Sequence, residues 1–186
     1  MFKKLVCPWW LGYFMINPLR RFIHDPAKIL SPYIKEGMTV VEPGPGMGFF
    51  TLELANKVGA SGRVIAVEIQ AEMLEKLKRR ALKARVLERI DTRLVRSDTM
   101  GLTELDGAVD FVFAFAVVHE FSNVSSFFGE ISKTLKSDGY LLLVEPIGHV
   151  TVDDFESELR AAVKEGLGIV NRPCIKRSHA ALLKKL

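Results

Sequence analysis

Residues 38–48 read M-T-V-V-E-P-G-P-G-M-G, a β-branched run that ends in a carboxylate and a glycine-rich turn. The run predicts a first strand over Met38–Glu42, and the pattern beyond the turn predicts a helix that opens near Gly48. Gly44, Gly46 and Gly48 let the backbone approach a bulky ligand because no Cβ intervenes. The start of the helix also offers unpaired N–H groups. The segment therefore predicts either an ordinary strand-to-helix turn or a nucleotide-binding loop.

Two details of this loop bear on the kind of nucleotide it suits. The spacing is G-x-G-x-G rather than the G-x-G-x-x-G of dinucleotide sites, and Glu42 stands directly before it. A carboxylate repels a pyrophosphate and attracts a cation. S-adenosylmethionine carries a sulfonium and an ammonium but no phosphate, so the loop favours it as the cofactor. A nicotinamide-dependent oxidoreductase is the rival hypothesis, which thermal-shift titration with each cofactor would separate.

Outward from the loop, apolar β-rich runs alternate with segments of helical periodicity. This alternation predicts a doubly wound α/β fold: a mostly parallel seven-stranded sheet, helices on both faces and an antiparallel last strand. A helical cap over residues 1–32 precedes the main domain, residues 33–186. The later predicted strands are Arg63–Glu68, Thr92–Arg96, Val109–Val117, Tyr140–Glu145 and an antiparallel pair at Gly168–Val170 and His179–Leu183. The later predicted helices span about 74–87, 124–135 and 155–163, and Asp138-Gly139 is a predicted turn.

Composition limits the class of protein. The 186 residues are 48% hydrophobic and 26% charged, which is enough apolar material for a core. Cys7 and Cys174 are the two cysteines, and without a C-x-x-C pair neither a metal site nor a disulfide framework is expected. A cytoplasmic location fits this cysteine usage. Lys3 and Lys4 precede an apolar run, but that run contains a proline and no cleavage site of a signal peptide follows.

Three segments together resemble a known family. E-P-G-P-G-M-G at 42–48, V-I-A-V-E-I-Q-A-E-M-L at 64–74 and L-K-S-D-G-Y-L-L-L-V-E-P at 135–146 resemble the class I S-adenosylmethionine-dependent methyltransferases, in their ubiquinone/menaquinone-biosynthesis-type branch. The likeness covers roughly residues 30–146. It implies methyl transfer (EC 2.1.1), with S-adenosylmethionine as the cofactor and S-adenosylhomocysteine as the product.

The candidate cofactor residues follow predicted strands. Glu68 ends the second strand, where a carboxylate accepts hydrogen bonds from both ribose hydroxyls. The resemblance implies the same role and makes Ile69 a wall for the adenine ring. Asp98 is expected to accept the adenine amino group, the alternative being a turn aspartate that bonds its own backbone. The predicted cofactor-binding residues are Glu42, Gly44, Gly46, Gly48, Glu68, Ile69, Asp98, Thr99 and Phe115.

The candidate catalytic residues lie after the fourth strand and in the cap. The resemblance implies that the segment from Phe115 passes under the methionine part of the cofactor. His119 and Glu120 are candidates for accepting a proton, or for bracing the next helix. The reaction is an in-line displacement at the methyl carbon, for which alignment supplies on the order of 7 to 11 kcal/mol. A thiolate, phenolate or amine acceptor therefore does not strictly require a general base.

The remaining features concern partners. The aromatic residues Trp9, Trp10, Tyr13 and Phe14 predict a lid that makes Tyr13 a substrate-side residue, or else packing on the sheet edge, a partner surface or a membrane surface. Nine basic and two acidic residues lie between positions 76 and 96, which favours a solvated helix face over an RNA-facing patch.

F-A-V-V-H-E stands at residues 115–120, where methyltransferases of base amino groups usually carry an N/D-P-P-aromatic tetrapeptide. We therefore expect a small-molecule acceptor and no nucleic acid. A non-catalytic S-adenosylmethionine-binding protein and a membrane-surface enzyme for a lipid quinone are the alternatives. The sequence leaves the oligomeric state and the acceptor atom open.

Overall fold

A computed structural model describes residue 16 and residues 18–95 and 99–186. The described residues divide into two compact units, one before and one after the interval at residues 96–98. The predicted boundary between a cap and a main domain after residue 32 stays a prediction. Among the described helices, none combines the length and apolarity needed to cross a bilayer.

The first unit holds three parallel strands and their helices. In chain order it contains α1 Pro26–Leu30, β1 Thr39–Pro43, α2 Thr51–Val58, β2 Arg63–Glu68, α3 Ala71–Lys83 and β3 Ile90–Leu94. β2 pairs in parallel with β1 on one side and with β3 on the other, and the register places Glu42 opposite Ala66. Buried Val40 and Val41 show why the short β-branched run forms a strand that is covered on both faces.

Of the apolar stripe predicted for α3, Leu74, Leu77 and Ala81 are buried, together with Met73, whereas Ala84 and Leu87 lie beyond the end of the helix and Ala84 is exposed. The predicted extension of this helix to about residue 87 is wrong. The helix ends at Lys83 because Arg85 adopts a positive φ of 59°, and a left-handed residue cannot continue a right-handed helix. A short 3₁₀ turn at Leu87–Arg89 then leads into β3.

The second unit holds four strands. It contains β4 Val109–Phe115, α4 Val124–Thr134, β5 Leu135–Pro146, α5 Val152–Lys164, β6 Leu167–Asn171 and β7 Ser178–Lys185. β4 and β5 are parallel, whereas β7 runs antiparallel to both β5 and β6. The seven strands form one sheet in the order β3-β2-β1-β4-β5-β7-β6, with helices around it. The predicted fold, including the antiparallel end, is confirmed.

Several predicted bounds shift. β4 ends at Phe115 rather than at Val117, because Ala116 has a positive φ of 55° that breaks the extended backbone. β3 begins and ends two residues earlier than predicted. The Asp138-Gly139 turn lies inside the bounds of β5, where the register jumps from Val109 opposite Leu135 to Phe111 opposite Tyr140. Four residues of β5 therefore lie outside its regular pairing with β4 and form an irregularity within the strand.

Gly62, which precedes β2, is packed too tightly to accept a side chain. A Cβ there would lie 2.6 Å from both the Cβ and the carbonyl oxygen of Val58 and 2.7 Å from the carbonyl oxygen of Met38. We expect Gly62→Ala to lower the free energy of unfolding by about 1 to 3 kcal/mol, because the backbone must shift to relieve these contacts. Gly148→Ala is the control, since a Cβ at Gly148 meets no atom within 4 Å. Equal urea midpoints for the two variants would contradict the packing described here.

Candidate active site

The glycine loop connects β1 to α2 and lies close to β2 and α3. Gly44, Gly46 and Gly48 have φ values of 64°, 54° and 81°, in the left-handed region that glycine tolerates. The Gly44 N–H donates to the carbonyl oxygen of Val67 at 2.9 Å. A Cβ on Gly48 would lie 3.0 Å from Cγ of Leu77. The predicted glycines therefore shape a tight backbone turn at the carboxyl end of β1, and α2 begins three residues after it, at Thr51.

Glu68, at the carboxyl end of β2, holds this loop in place. Its Oε2 accepts from the Gly46 N–H at 3.2 Å, and its Oε1 accepts from the N–H groups of Ile69 and Gln70 at 2.8 and 3.1 Å. Burial raises the pKa of Glu68, and the three backbone donors act against that rise. Ile69 beside it is 44% exposed, and its predicted contact with adenine stays a prediction.

Glu42 is buried directly before the loop, with 4% of its surface exposed. Its Oε2 and the hydroxyl of buried Thr51 have no hydrogen-bond partner among the described residues. Burial raises the pKa of Glu42 to about 8, with a smaller rise from the charge of Glu68 and an opposing effect of Thr51. Glu42 is therefore mostly a neutral acid near pH 7, whereas the argument from sequence assumes that its side chain is ionised.

The protonation state of Glu42 indicates which class of ligand fits the glycine loop. A buried acid with an unpaired oxygen gains most from a donor that carries a positive charge, because that charge offsets the cost of ionisation. An ammonium group supplies both a hydrogen-bond donor and a positive charge, whereas a pyrophosphate group supplies neither. The residues present therefore fit the ammonium-bearing S-adenosylmethionine.

Two arginines support the far side of the loop. Arg80 of α3 donates from its guanidinium to the carbonyl oxygen of Met47. The guanidinium of Arg20 lies 4.4 Å from the centre of the Phe49 ring, and burial lowers the pKa of Arg20 to about 10. The sequence reasoning counted Arg80 only as part of a basic stretch. No local pattern distinguished it from its neighbours, because the contact spans 33 residues.

The second unit places a histidine–carboxylate pair at the ends of β4 and β5. A 3₁₀ turn at Val118–Glu120 follows the strained Ala116. Fully buried Glu145 places its Oε2 2.5 Å from Nδ1 of His119, and its Oε1 accepts from the Val118 N–H at 2.8 Å. The sequence reasoning missed Glu145, although it directly follows the apolar run at residues 141–144 in the quoted β5 segment.

The surroundings of His119 shift its proton affinity. Burial lowers the pKa of His119, but the hydrogen bond to Glu145 and the charges of Glu145, Glu120 and Glu158 together raise it above its ordinary value. The ring stacks on His149 with the centroids 5.8 Å apart. Because Glu145 occupies Nδ1, Nε2 is the nitrogen left to exchange a proton with another molecule.

The other predicted site residues have mixed outcomes. Glu120 is half-buried in the same turn as His119, and Thr99 is exposed, with its hydroxyl accepting from the Gly101 N–H at 3.1 Å. Phe115 is half-buried at the end of β4, with its ring centre 5.9 Å from that of Phe113. Asp98, Tyr13 and the tryptophans at 9 and 10 lie outside the described residues, so the predicted adenine contact, lid and membrane surface stay predictions.

Comparison with known proteins identifies the relatives of the chain. The family model for the methyltransferase domain matches residues 41–143. A ribosomal RNA small subunit methyltransferase A from Streptomyces griseus is 47% identical over 92 residues, which is 49% of this chain and 28% of that protein. A tRNA (adenine(57)-N(1)/adenine(58)-N(1))-methyltransferase from Methanocaldococcus jannaschii is 38% identical over 56 residues, which is 30% of this chain and 20% of that protein. The chain thus matches less than a third of the length of either curated relative.

Solved structures share the fold. A SAM-dependent methyltransferase from Aquifex aeolicus superposes with a TM-score of 0.86 at 23% identity, covering 97% of this chain and all of that one. The cofactor predicted from the sequence, S-adenosylmethionine, agrees with the family match. The narrower assignment to the ubiquinone/menaquinone-biosynthesis-type branch stays a prediction.

The His119–Glu145 pair yields a measurable titration. We expect Glu145→Gln to lower the pKa of His119, because burial then acts against the protonated ring without its main partner. Glu120 and Glu158 remain around the ring, and their charges limit the drop. Nitrogen-detected NMR of the histidine side chains across pH 5 to 9 measures the change, with Glu156→Gln on the exposed surface as the control. An unchanged His119 titration in Glu145→Gln would contradict the pairing.

Proposed function

The chain belongs to the methyltransferase domain family, and from that membership we propose that it transfers the methyl group of S-adenosylmethionine to a small-molecule acceptor by in-line displacement. The observation that carries the proposal is buried Glu42, whose Oε2 lacks a partner among the described residues, beside three left-handed glycines; this suits a cationic nucleoside and not a diphosphate. The cofactor supplies a methyl group on a positively charged sulfur, which is already a strong electrophile.

In this proposal each predicted residue contacts a particular part of the cofactor. Glu42 receives the ammonium group, and the glycine loop lets the backbone approach the nucleoside because no Cβ intervenes. Glu68 accepts from the ribose hydroxyls and Ile69 covers the adenine ring. The further proposed contacts are Asp98 and Thr99 to adenine and Phe115 to the methionine part. Glu42, Glu68 and Phe115 lie at or near the carboxyl ends of their strands, where open α/β sheets bind ligands.

His119 is the proposed catalytic residue. Its Nε2 takes the proton that the acceptor loses, while Glu145 holds the ring through Nδ1 and acts as a positioning residue. A general base of this kind contributes roughly 10² to 10⁴ in rate. Orientation of the acceptor supplies the rest, so the reaction needs no metal ligand from the chain.

An RNA acceptor is the second candidate, and the two matched relatives favour it because their names specify rRNA and tRNA. The basic residues of α3 and β3 form the surface that such a partner would contact. Phosphate contacts make binding fall steeply with salt. If RNA binds weakly, and equally well with and without the cofactor, the small-molecule acceptor is the better-supported proposal.

Calorimetric titration with S-adenosylmethionine tests the cofactor site. Glu68→Ala should weaken binding by about 1 to 3 kcal/mol, because it removes an acceptor for the ribose and the anchor of the Gly46 N–H. Glu72→Ala is the matched control, since Glu72 is an exposed acid in the first turn of α3. Urea unfolding of both variants checks that the fold persists. Equal affinity in the two variants would remove Glu68 from the cofactor site.

A further inference from the structure

The second unit contains a cavity of about 450 Å³ between the turn that carries His119 and α5. Its lining includes the imidazoles of His119 and His149, the carboxyl groups of Asp154 and Glu158, and the aliphatic side chains of Val124 and Val150. This volume lies at the lower end of small-molecule sites, which suits a compound with a compact body. His119 thus borders a partly open cavity as well as bonding to Glu145.

The charged residues around the cavity determine whether a cationic or an anionic ligand is favoured there. Two carboxyl groups line it, and the described lining holds no lysine or arginine. Glu158 is the deeper of the two, with 7% of its surface exposed, whereas Asp154 is exposed and caps the start of α5. In a partly buried space these charges attract a cation and repel a carboxylate or phosphate more strongly than they would in water.

We propose that this cavity is the acceptor pocket and that it takes a small amine-bearing cation with an apolar body. This inference rests on the proposed methyl transfer and narrows the class of its substrate. The ammonium lies against Glu158, the apolar body lies against the two valines, and the nucleophilic nitrogen or oxygen of the acceptor faces Nε2 of His119. Phosphate-bearing acceptors, RNA included, are disfavoured at this pocket.

The chemistry balances without a further reactant. A lone pair on the acceptor nitrogen or oxygen forms the new bond to the methyl carbon, while the carbon–sulfur bond breaks and its electron pair stays on sulfur. The acceptor loses one proton, which His119 receives at Nε2. The products are the methylated acceptor, S-adenosylhomocysteine and a protonated His119 that later releases its proton to solvent.

Three probes of similar size test the inference in the absence of cofactor: 2-phenylethylamine, 2-phenylethanol and 3-phenylpropionate. We expect the 186-residue chain to bind the amine roughly tenfold more tightly than the alcohol, because a hydrogen bond to a charged carboxylate adds about 1.5 kcal/mol or more. The carboxylate should bind most weakly. The amine should also shift the nitrogen resonances of the His119 ring, which places it in this cavity.

Equal affinity for the three probes, tighter binding of the carboxylate, or an unmoved His119 resonance would overturn the inference. Glu158→Gln should weaken the amine roughly tenfold and leave the alcohol within about twofold. Asp153→Asn is the matched control, since Asp153 is exposed on the same helix outside the cavity lining. The wild-type comparison keeps the test valid if Glu158→Gln fails to fold.

A separate titration with S-adenosylmethionine distinguishes the two proposals. Selective amine binding without cofactor binding would defeat the proposed function and leave the cavity assignment standing. Cofactor binding without amine selectivity would defeat only the cavity assignment.

Discussion

The ligand preference of the glycine loop depends on Glu42, an acid that folding has placed out of water. Glu42 lies in β1 opposite Ala66 of β2, directly before the loop, and only 4% of its surface is exposed. The three left-handed glycines then let the backbone turn over it without steric conflict. A ligand at this loop therefore meets a carboxyl group that is mostly protonated near pH 7 and whose ionisation a cation promotes, which favours a positively charged nucleoside over a diphosphate.

The second unit also contains a buried acid, but this acid is paired with a histidine. Glu145 is also fully buried, but its oxygens are bonded to His119 and to the Val118 backbone. This pairing fixes the orientation of the imidazole and leaves Nε2 available, which is the geometry that the proposed proton transfer needs. The positive φ of Ala116 turns the chain after β4 so that His119 comes within reach of β5.

The features that sequence reasoning found are local ones. The strand-and-glycine pattern at 38–48 predicts β1 and its turn because the residues that decide it are adjacent, and the apolar run of β4 indicates a buried parallel strand for the same reason. The contacts it missed join distant residues: Glu145 to His119 across 26 positions and Arg80 to Met47 across 33. The sequence alone also does not predict the protonation of Glu42, because that depends on how completely the folded chain excludes water.

The most direct test of the cationic-nucleoside account is proton release on cofactor binding. S-adenosylmethionine is titrated near pH 7 in buffers of different ionisation enthalpy, with the native chain and with Glu42→Gln. Because the pKa of Glu42 is about 8, the acid begins protonated and an arriving ammonium lowers that pKa. The account predicts release of close to one proton by the native chain and none by Glu42→Gln, with affinity rising as the pH approaches 8. Equal proton counts in the two proteins, or tighter binding of a nicotinamide dinucleotide, would contradict it.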